Sequence, residues 1–255
     1  MSKRRFYMKA FSKITAVALL FVLALGCLIS CNPGGKVESY TASVKTTFSS
    51  TDPAMAEAIA ALNSSDTTIS VWGDNMEIFT STEISDVKLE KTYTLADDVL
   101  YSDTKLVAEG KTVTDMKKAP FNPSNQSELV AKVGAGASLD IDDFNKVSAA
   151  TGNLECYTCS SIKDDAKASI TAIFAAKLGE VADVTLSDAE YYLEMSEGKT
   201  VSYILNARFE ISMNGSSFGV NMTIECEYDY NSGAKIAAPE NAADFTESTY
   251  EDIIG

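Results

Sequence analysis

The chain has 255 residues, with 36 acidic against 21 basic side chains, a net charge of −15 and no histidine. Without histidine there is no Ser-His-Asp triad, no Cys-His pair and no imidazole base, and the common zinc sites lose a usual ligand. The acidic balance opposes nucleic acid and anionic lipid headgroups as partners.

The N-terminus is the exception to that balance. Lys3, Arg4, Arg5, Lys9 and Lys13 precede an uncharged stretch over residues 14–30. A basic start followed by an apolar run has the form of a secretory signal, and the run falls short of a comfortable membrane span of ~20 residues. Leu28-Ile29-Ser30-Cys31 then resembles the lipobox of bacterial lipoproteins. In that family the cysteine thiol receives a diacylglyceryl group and cleavage leaves the cysteine as the new N-terminus. Ala24-Leu25-Gly26-Cys27 is a looser alternative, because Ala stands where Leu does better, so Cys31 is preferred over Cys27. An uncleaved anchor with two buried cysteines is the competing reading. Asn32-Pro33-Gly34-Gly35-Lys36 suits a flexible tether. The expected organisation is a signal over 1–30, a lipidated cysteine and tether over 31–36, and one domain over 37–255. Removing the five basic residues with the signal takes the net charge from −15 to −20. Acyl chains on Cys31, not electrostatics, would then hold the protein to the extracytoplasmic side of the membrane.

From residue 37 the pattern is mostly that of strands. Residues 37–48 alternate, with Tyr40, Ala42, Val44 and Phe48 on one face. Thr51-Asp52-Pro53 reads as a cap with Pro in the first turn, opening a short helix carried by Met55, Ile59 and Leu62. Residues 67–84 read as strand broken by a Gly73-Asp74-Asn75 turn, and 87–107 as a hairpin turning at Ala96-Asp97-Asp98. Residues 117–127, with two of the five prolines, read as loop. Short helices are expected at 127–134 and 140–149, and a strand at 154–160. Residues 161–179 carry Ile162, Ala166, Ile170, Phe174 and Leu178 every four positions, the stripe of a helix capped by Ser161 and closed by Gly179.

The last third is the most regular. A strand over 184–195 leads to a Ser196-Glu197-Gly198-Lys199 turn. Val201, Tyr203, Leu205, Ala207, Phe209, Ile211 and Met213 follow at every second place. After Asn214-Gly215-Ser216-Ser217, Val220, Met222, Ile224, Cys226, Tyr228 and Tyr230 return in the same rhythm, and Ala237-Ala238-Pro239-Glu240 ends the sheet before an acidic tail. Three long strands with one apolar face predict a strongly curved antiparallel meander.

No phosphate-binding glycine loop and no nucleophile elbow occur. Asp140-Ile141-Asp142-Asp143 lacks the Gly and closing Glu of an EF-hand and reads as a helix start. A single Trp, Trp72, argues against a sugar cleft. No enzyme activity, cofactor or metal is therefore expected. Cys156-Tyr157-Thr158-Cys159 is a CxxC with Cys226 as a third thiol. One disulfide among Cys156, Cys159 and Cys226, three free thiols, and a redox or metal pair all stay open.

The lipobox, the long strand straight after the tether, the midchain helix before the last three strands, and the close Glu227-Tyr228-Asp229-Tyr230 … Ile236-Ala237-Ala238-Pro239 together resemble the lipoprotein-carrier superfamily typified by LolA, LppX and LprG. That resemblance implies an α+β fold: an open half-barrel of curved antiparallel sheet with helices packed on its concave side. It also implies a hydrophobic, lipid-like ligand held between sheet and helix, with Tyr40, Val44, Phe48, Tyr203, Leu205, Phe209, Met213, Met222 and Ile224 as walls. The alternative is a cell-surface sensor or protein-interaction module with a filled interior. The same residues serve an ordinary core, so cavity volume separates the two.

Overall fold

The computed structural model describes residues 39–60, 65–84, 87–122, 144–147, 154–161, 167–168, 170–171, 174–175, 181–213, 215–230 and 234–254. Its first half is a meander. β1 (Ser39–Ser50), β2 (Ser65–Trp72), β3 (Asn75–Ile84), β4 (Val87–Ala96), β5 (Val99–Ala108) and β6 (Lys111–Pro120) lie side by side in chain order. Two-residue turns set the registers: Trp72 faces Asn75, Ala96 faces Val99 and Ala108 faces Lys111. Asp97 and Asp98 both take positive φ, as do Glu109 and Gly110, the backbone form that matches strand twist in a tight hairpin. α1 (Pro53–Ala60) interrupts between β1 and β2. Asp52 caps it through Oδ1, which accepts the Ala54 amide at 2.9 Å, and Pro53 sits where its missing N–H costs nothing.

The second half is a meander running the other way. β7 (Asn145–Val147) lies at the far edge, followed inward by β8 (Leu154–Cys159), β9 (Val181–Ser196), β10 (Lys199–Met213) and β11 (Ser216–Asp229). The halves meet at one seam, where β1 pairs antiparallel with β11 from Thr41 opposite Asp229 to Ser50 opposite Val220. A short β12 (Thr246–Glu247) adds the single parallel pairing among the described strands, beside Lys117 and Lys118 of β6. α2 (Tyr250–Ile254) follows and tucks Ile253 into the core.

One face of this twelve-stranded sheet is apolar and buried. Across the seam the core runs Phe48–Met222–Ala207 and Thr46–Ile224–Leu205–Tyr191, and on the other side Ala42–Ile69–Ile78–Tyr93. Each fully buried side chain of this size contributes roughly 1.5–3 kcal/mol. The described residues between 167 and 175 are helical; Ile170 and Phe174 among them are fully buried, and the Phe174 ring lies between Phe48 and Phe209.

The expected α+β half-barrel with helices on its concave side is overturned. Among the described residues the structure is nearly all β, 70% strand to 12% helix, and these strands form one open, mostly antiparallel sheet of 12. Three segments account for the difference. Lys111–Pro120 carries polar side chains on both faces, and its end falls in the loop expected at 117–127, yet it forms β6, because the Glu109-Gly110 turn folds it onto β5. Its outer positions are exposed, which is what an edge strand tolerates. Asn145–Val147, expected within a helix at 140–149, is strand β7, three exposed residues that among the described strands pair with β8. The tail, expected to follow the sheet, returns to it as β12 and α2. The helix expected at 127–134 lies outside the described residues.

Candidate functional site

Alternation places all nine expected wall residues on the same face, in or against one hydrophobic cluster. Val44, Phe48, Tyr203, Leu205, Phe209, Met222 and Ile224 are each 0–4% exposed, while Tyr40 and Met213 at the margins are partly buried. What surrounds them is other side chains. Tyr203 stacks on Tyr191 at 5.2 Å, and Tyr228 lies within 6.5 Å of Tyr203 and 5.7 Å of Tyr40. Tyr157 meets Tyr191 edge-on at 6.2 Å, so a row of tyrosines crosses β8, β9, β10, β11 and β1. Such pairs add about 0.5–1.5 kcal/mol each beyond burial. Burial pushes the Tyr40 phenol up to about 12, with Tyr230 and Cys226 adding to the effect. Tyr93 is raised further still by burial alone. Only the tyrosines of the regular strands were legible as core; Tyr157 and Tyr191 enter the row through the β8–β9 register.

At the β7–β8 edge, Glu155 accepts from Lys146 Nζ at 2.5 Å and from the Tyr157 hydroxyl at 2.5 Å. Those two hydrogen bonds, Lys146 first, hold its carboxyl below the usual range. The cluster stitches a three-residue strand onto the sheet. Cys156, Cys159 and Cys226 are not joined in a disulfide in the structure. In a strand, positions three apart point to opposite faces, so Cys156 and Cys159 of β8 diverge. Buried Cys159 donates to the Ser161 carbonyl at 2.7 Å, and Cys226 lies on β11 with β9 and β10 between it and β8. The CxxC therefore sits within a strand and not at a helix start, and the strand order holds Cys156, Cys159 and Cys226 apart.

The opposite face is polar. An open groove of about 400 Å3 runs over β2, β1 and β11, with Lys45 between Asp66 and Glu225 in one cross-strand row and Ser43 between Thr68 and Glu227 in the next. Farther along β10, Ile204 stands 40% exposed between Tyr192 and Glu225. Beyond β2 the same face is crossed by the chain from Ala234 to Glu247. This strap is pinned where Asn75 Nδ2 donates to the Ile236 carbonyl (2.9 Å), where Lys118 Nζ donates to the Ala242 carbonyl (3.1 Å), and where Phe245 meets Tyr101 edge-on at 5.3 Å. Beneath it lies a smaller cavity of about 170 Å3 lined by Glu77, Thr92, Thr94 and Asp103 from the sheet. No sequence motif announced it, because its walls come from three strands and the tail.

Among the described residues no helix is long and apolar enough to cross a membrane; the apolar run at 14–30, Cys27 and Cys31 lie outside them. No protein-family model matches the chain, and no curated protein matches it. Solved structures give faint likenesses. An isomerase-inactive variant of GphF DH1 is 8% identical, with 83% of this chain and 82% of that one covered at a TM-score of 0.20. The tesB protein of Mycobacterium avium subs paratuberculosis is 12% identical over 76% and 80%, TM-score 0.16. The acyl-CoA thioesterase II TesB2 of Mycobacterium marinum is 10% identical over 78% and 84%, TM-score 0.13. Scores this low carry no argument about fold or activity.

Proposed function

We propose that the chain is a lipoprotein of the cell envelope, anchored to the membrane through acyl chains on Cys31, that acts without catalysis through contacts made on its polar sheet face. The observation that supports a filled interior over a lipid cavity is the state of the wall residues. Seven of the nine are 0–4% exposed and packed on one another, and Phe174 sits between Phe48 and Phe209. The open groove over β2, β1 and β11 leaves the other face available to a protein partner.

Two measurements test this reading. Native and denatured mass spectra of residues 32–255, with lipid extraction of the same sample and added lipids, are expected to show an apo mass throughout. A mass excess that disappears on denaturation and extracts as lipid would return the apolar face to the carrier reading. Metabolic labelling with an alkyne fatty acid is expected to mark the full chain and to be lost in Cys31→Ser but kept in Cys27→Ser. Label that survives Cys31→Ser would move the anchor or remove it.

A further inference from the structure

We infer that two copies of this chain join through the open edge of β6, on a two-fold axis that sets Val113 opposite Val113 of the second copy. Among the described strands β6 pairs with β5 on one side and, on the other, only with β12 at Lys117 and Lys118. Lys111 to Asp115 therefore form a free edge, and every one of them is exposed. The two-residue turn at Glu109-Gly110 makes Ala108 and Lys111 a hydrogen-bonded pair. Lys111, Val113 and Asp115 thus direct their backbone groups at β5, while Thr112 and Thr114 turn theirs outward. The same parity holds at the end of the strand, where the Lys118 carbonyl faces out and accepts the Ser248 amide at 2.8 Å. With the axis at Val113, Thr112 lies opposite Thr114 of the copy, and the two exchange both backbone hydrogen bonds.

Lysine on an exposed edge ordinarily repels an incoming strand. Here the charges answer one another under two-fold inversion. The axis at Val113 places Lys111 opposite Asp115 of the copy, and Asp115 opposite Lys111, in the non-hydrogen-bonded pairs where side chains lie closest. Between these two ion pairs the Val113 side chains meet. Val113 is 50% exposed in the single chain, and it continues the row of Leu89 and buried Leu106. Moving the axis to Thr114 would set Lys111 against Lys117 and Val113 against Asp115. Moving it to Thr112 would run the ladder into the Glu109-Gly110 turn. One register therefore satisfies the backbone, the charges and the exposed valine together, and the contact is isologous, so it closes at two copies. A ladder this short buries less than the ~1,200 Å2 of a standard stable interface, so the dimer is weak and sensitive to salt. It is independent of what the polar face binds.

The test uses the full chain in nonionic detergent at low ionic strength. Facing non-hydrogen-bonded positions suit a disulfide, so Val113→Cys under mild oxidation should give a covalent dimer that the parent chain does not. Thr114→Cys, which this register sets apart from its own copy, should not. Adding Lys111→Asp or Asp115→Lys to Val113→Cys turns both ion pairs into like-charge pairs and should slow linking about tenfold or more. Linking should return when both changes stand in one chain, and also when the two singly changed chains are mixed, because each then supplies the charge the other lacks. In the unaltered chain, zero-length coupling with a carbodiimide should join Lys111 to Asp115 in a species of dimer mass. Absence of dimer from both measurements overturns the inference. So does linking in Thr114→Cys equal to that in Val113→Cys, or linking that ignores the charge changes and their exchange.

Discussion

Replacing Phe174 with Ala tests whether the apolar face is filled or open. The side chain is fully buried, with Phe48 at 6.1 Å and 84° and Phe209 at 6.2 Å and 61°. Burying a ring of this kind removes on the order of 150–200 Å2 from water, about 4–5 kcal/mol at ~25 cal/mol per Å2. Alanine keeps about 1 kcal/mol of that through its methyl, and loss of two ring pairs takes back a further ~1–2 kcal/mol. Partial collapse of the void brings the expected loss to about 3–5 kcal/mol, large against a total stability of roughly 5–15 kcal/mol. Phe174→Leu, which keeps most of the volume and loses the ring pairs, should cost about 1–2 kcal/mol. Urea unfolding of residues 32–255 followed by circular dichroism reads both values, with an unchanged m-value showing that only stability moved. In a thermal scan the alanine variant should melt roughly 10 °C lower. A loss under about 1 kcal/mol with unchanged m would mean that nothing packs against this ring. The filled-interior argument, and with it the preference for a protein partner over a lipid, would then fail.

Other expectations follow from particular groups. Asp98 holds φ 61° beside Asp97 at 53°; Asp98→Gly relieves that strain and should stabilise by about 0.5–1 kcal/mol, whereas Asp98→Val should destabilise, both read by urea midpoint. Tyr40 has its phenol raised to about 12 by burial and its neighbours. The folded state therefore holds its proton longer than the unfolded one, so stability is complete below pH ~10 and falls on the order of 2 kcal/mol as pH rises through ~12. Tyr40→Phe should flatten that decline and remove one phenolate step near pH ~12 from the absorbance titration, leaving the later step of Tyr93 in place; an unchanged profile would place Tyr40 in water. In residues 32–255, Cys156 should react with a thiol reagent in the native state, while buried Cys159 and Cys226 wait for denaturant. A denatured count below three would reveal a disulfide.

Much of the strand order was legible because strands with one wet face alternate. β1, β10 and β11 were visible from Tyr40, Val44, Phe209 and Met222 alone, and the Gly73, Asp97-Asp98 and Gly198 turns marked where the chain doubles back. Edges were illegible for the same reason. Lys111–Pro120 and Asn145–Val147 bury little, so nothing in their own composition records the pairing that makes them strands. Their assignment is a tertiary effect, imposed by a turn in one case and by Lys146 and Glu155 in the other. The helical stripe at Ile170 and Phe174 was read correctly, but its weight in the fold was overestimated because the strands beyond it went unseen. The polar face was legible in composition and not in shape: Glu77 and Asp103 lie 26 residues apart and line one cavity only through the β3–β4–β5 register.

The β1–β11 seam has a consequence for how this protein is made. β1 emerges among the first folded residues, and β2 can pair with it at once. Its other edge has to wait for Ser216–Asp229, near the end of synthesis. Until residues 216–229 arrive that edge stays open, offering unpaired amides and carbonyls beside Val44 and Phe48 to any neighbouring chain. Lys45, in the middle of β1, and the Ser and Thr residues alternating around it are the guard during that interval. A nascent chain stalled before β11 would carry a half-sheet with a sticky central margin, so the last long strand to be translated is also the one that ends the hazard.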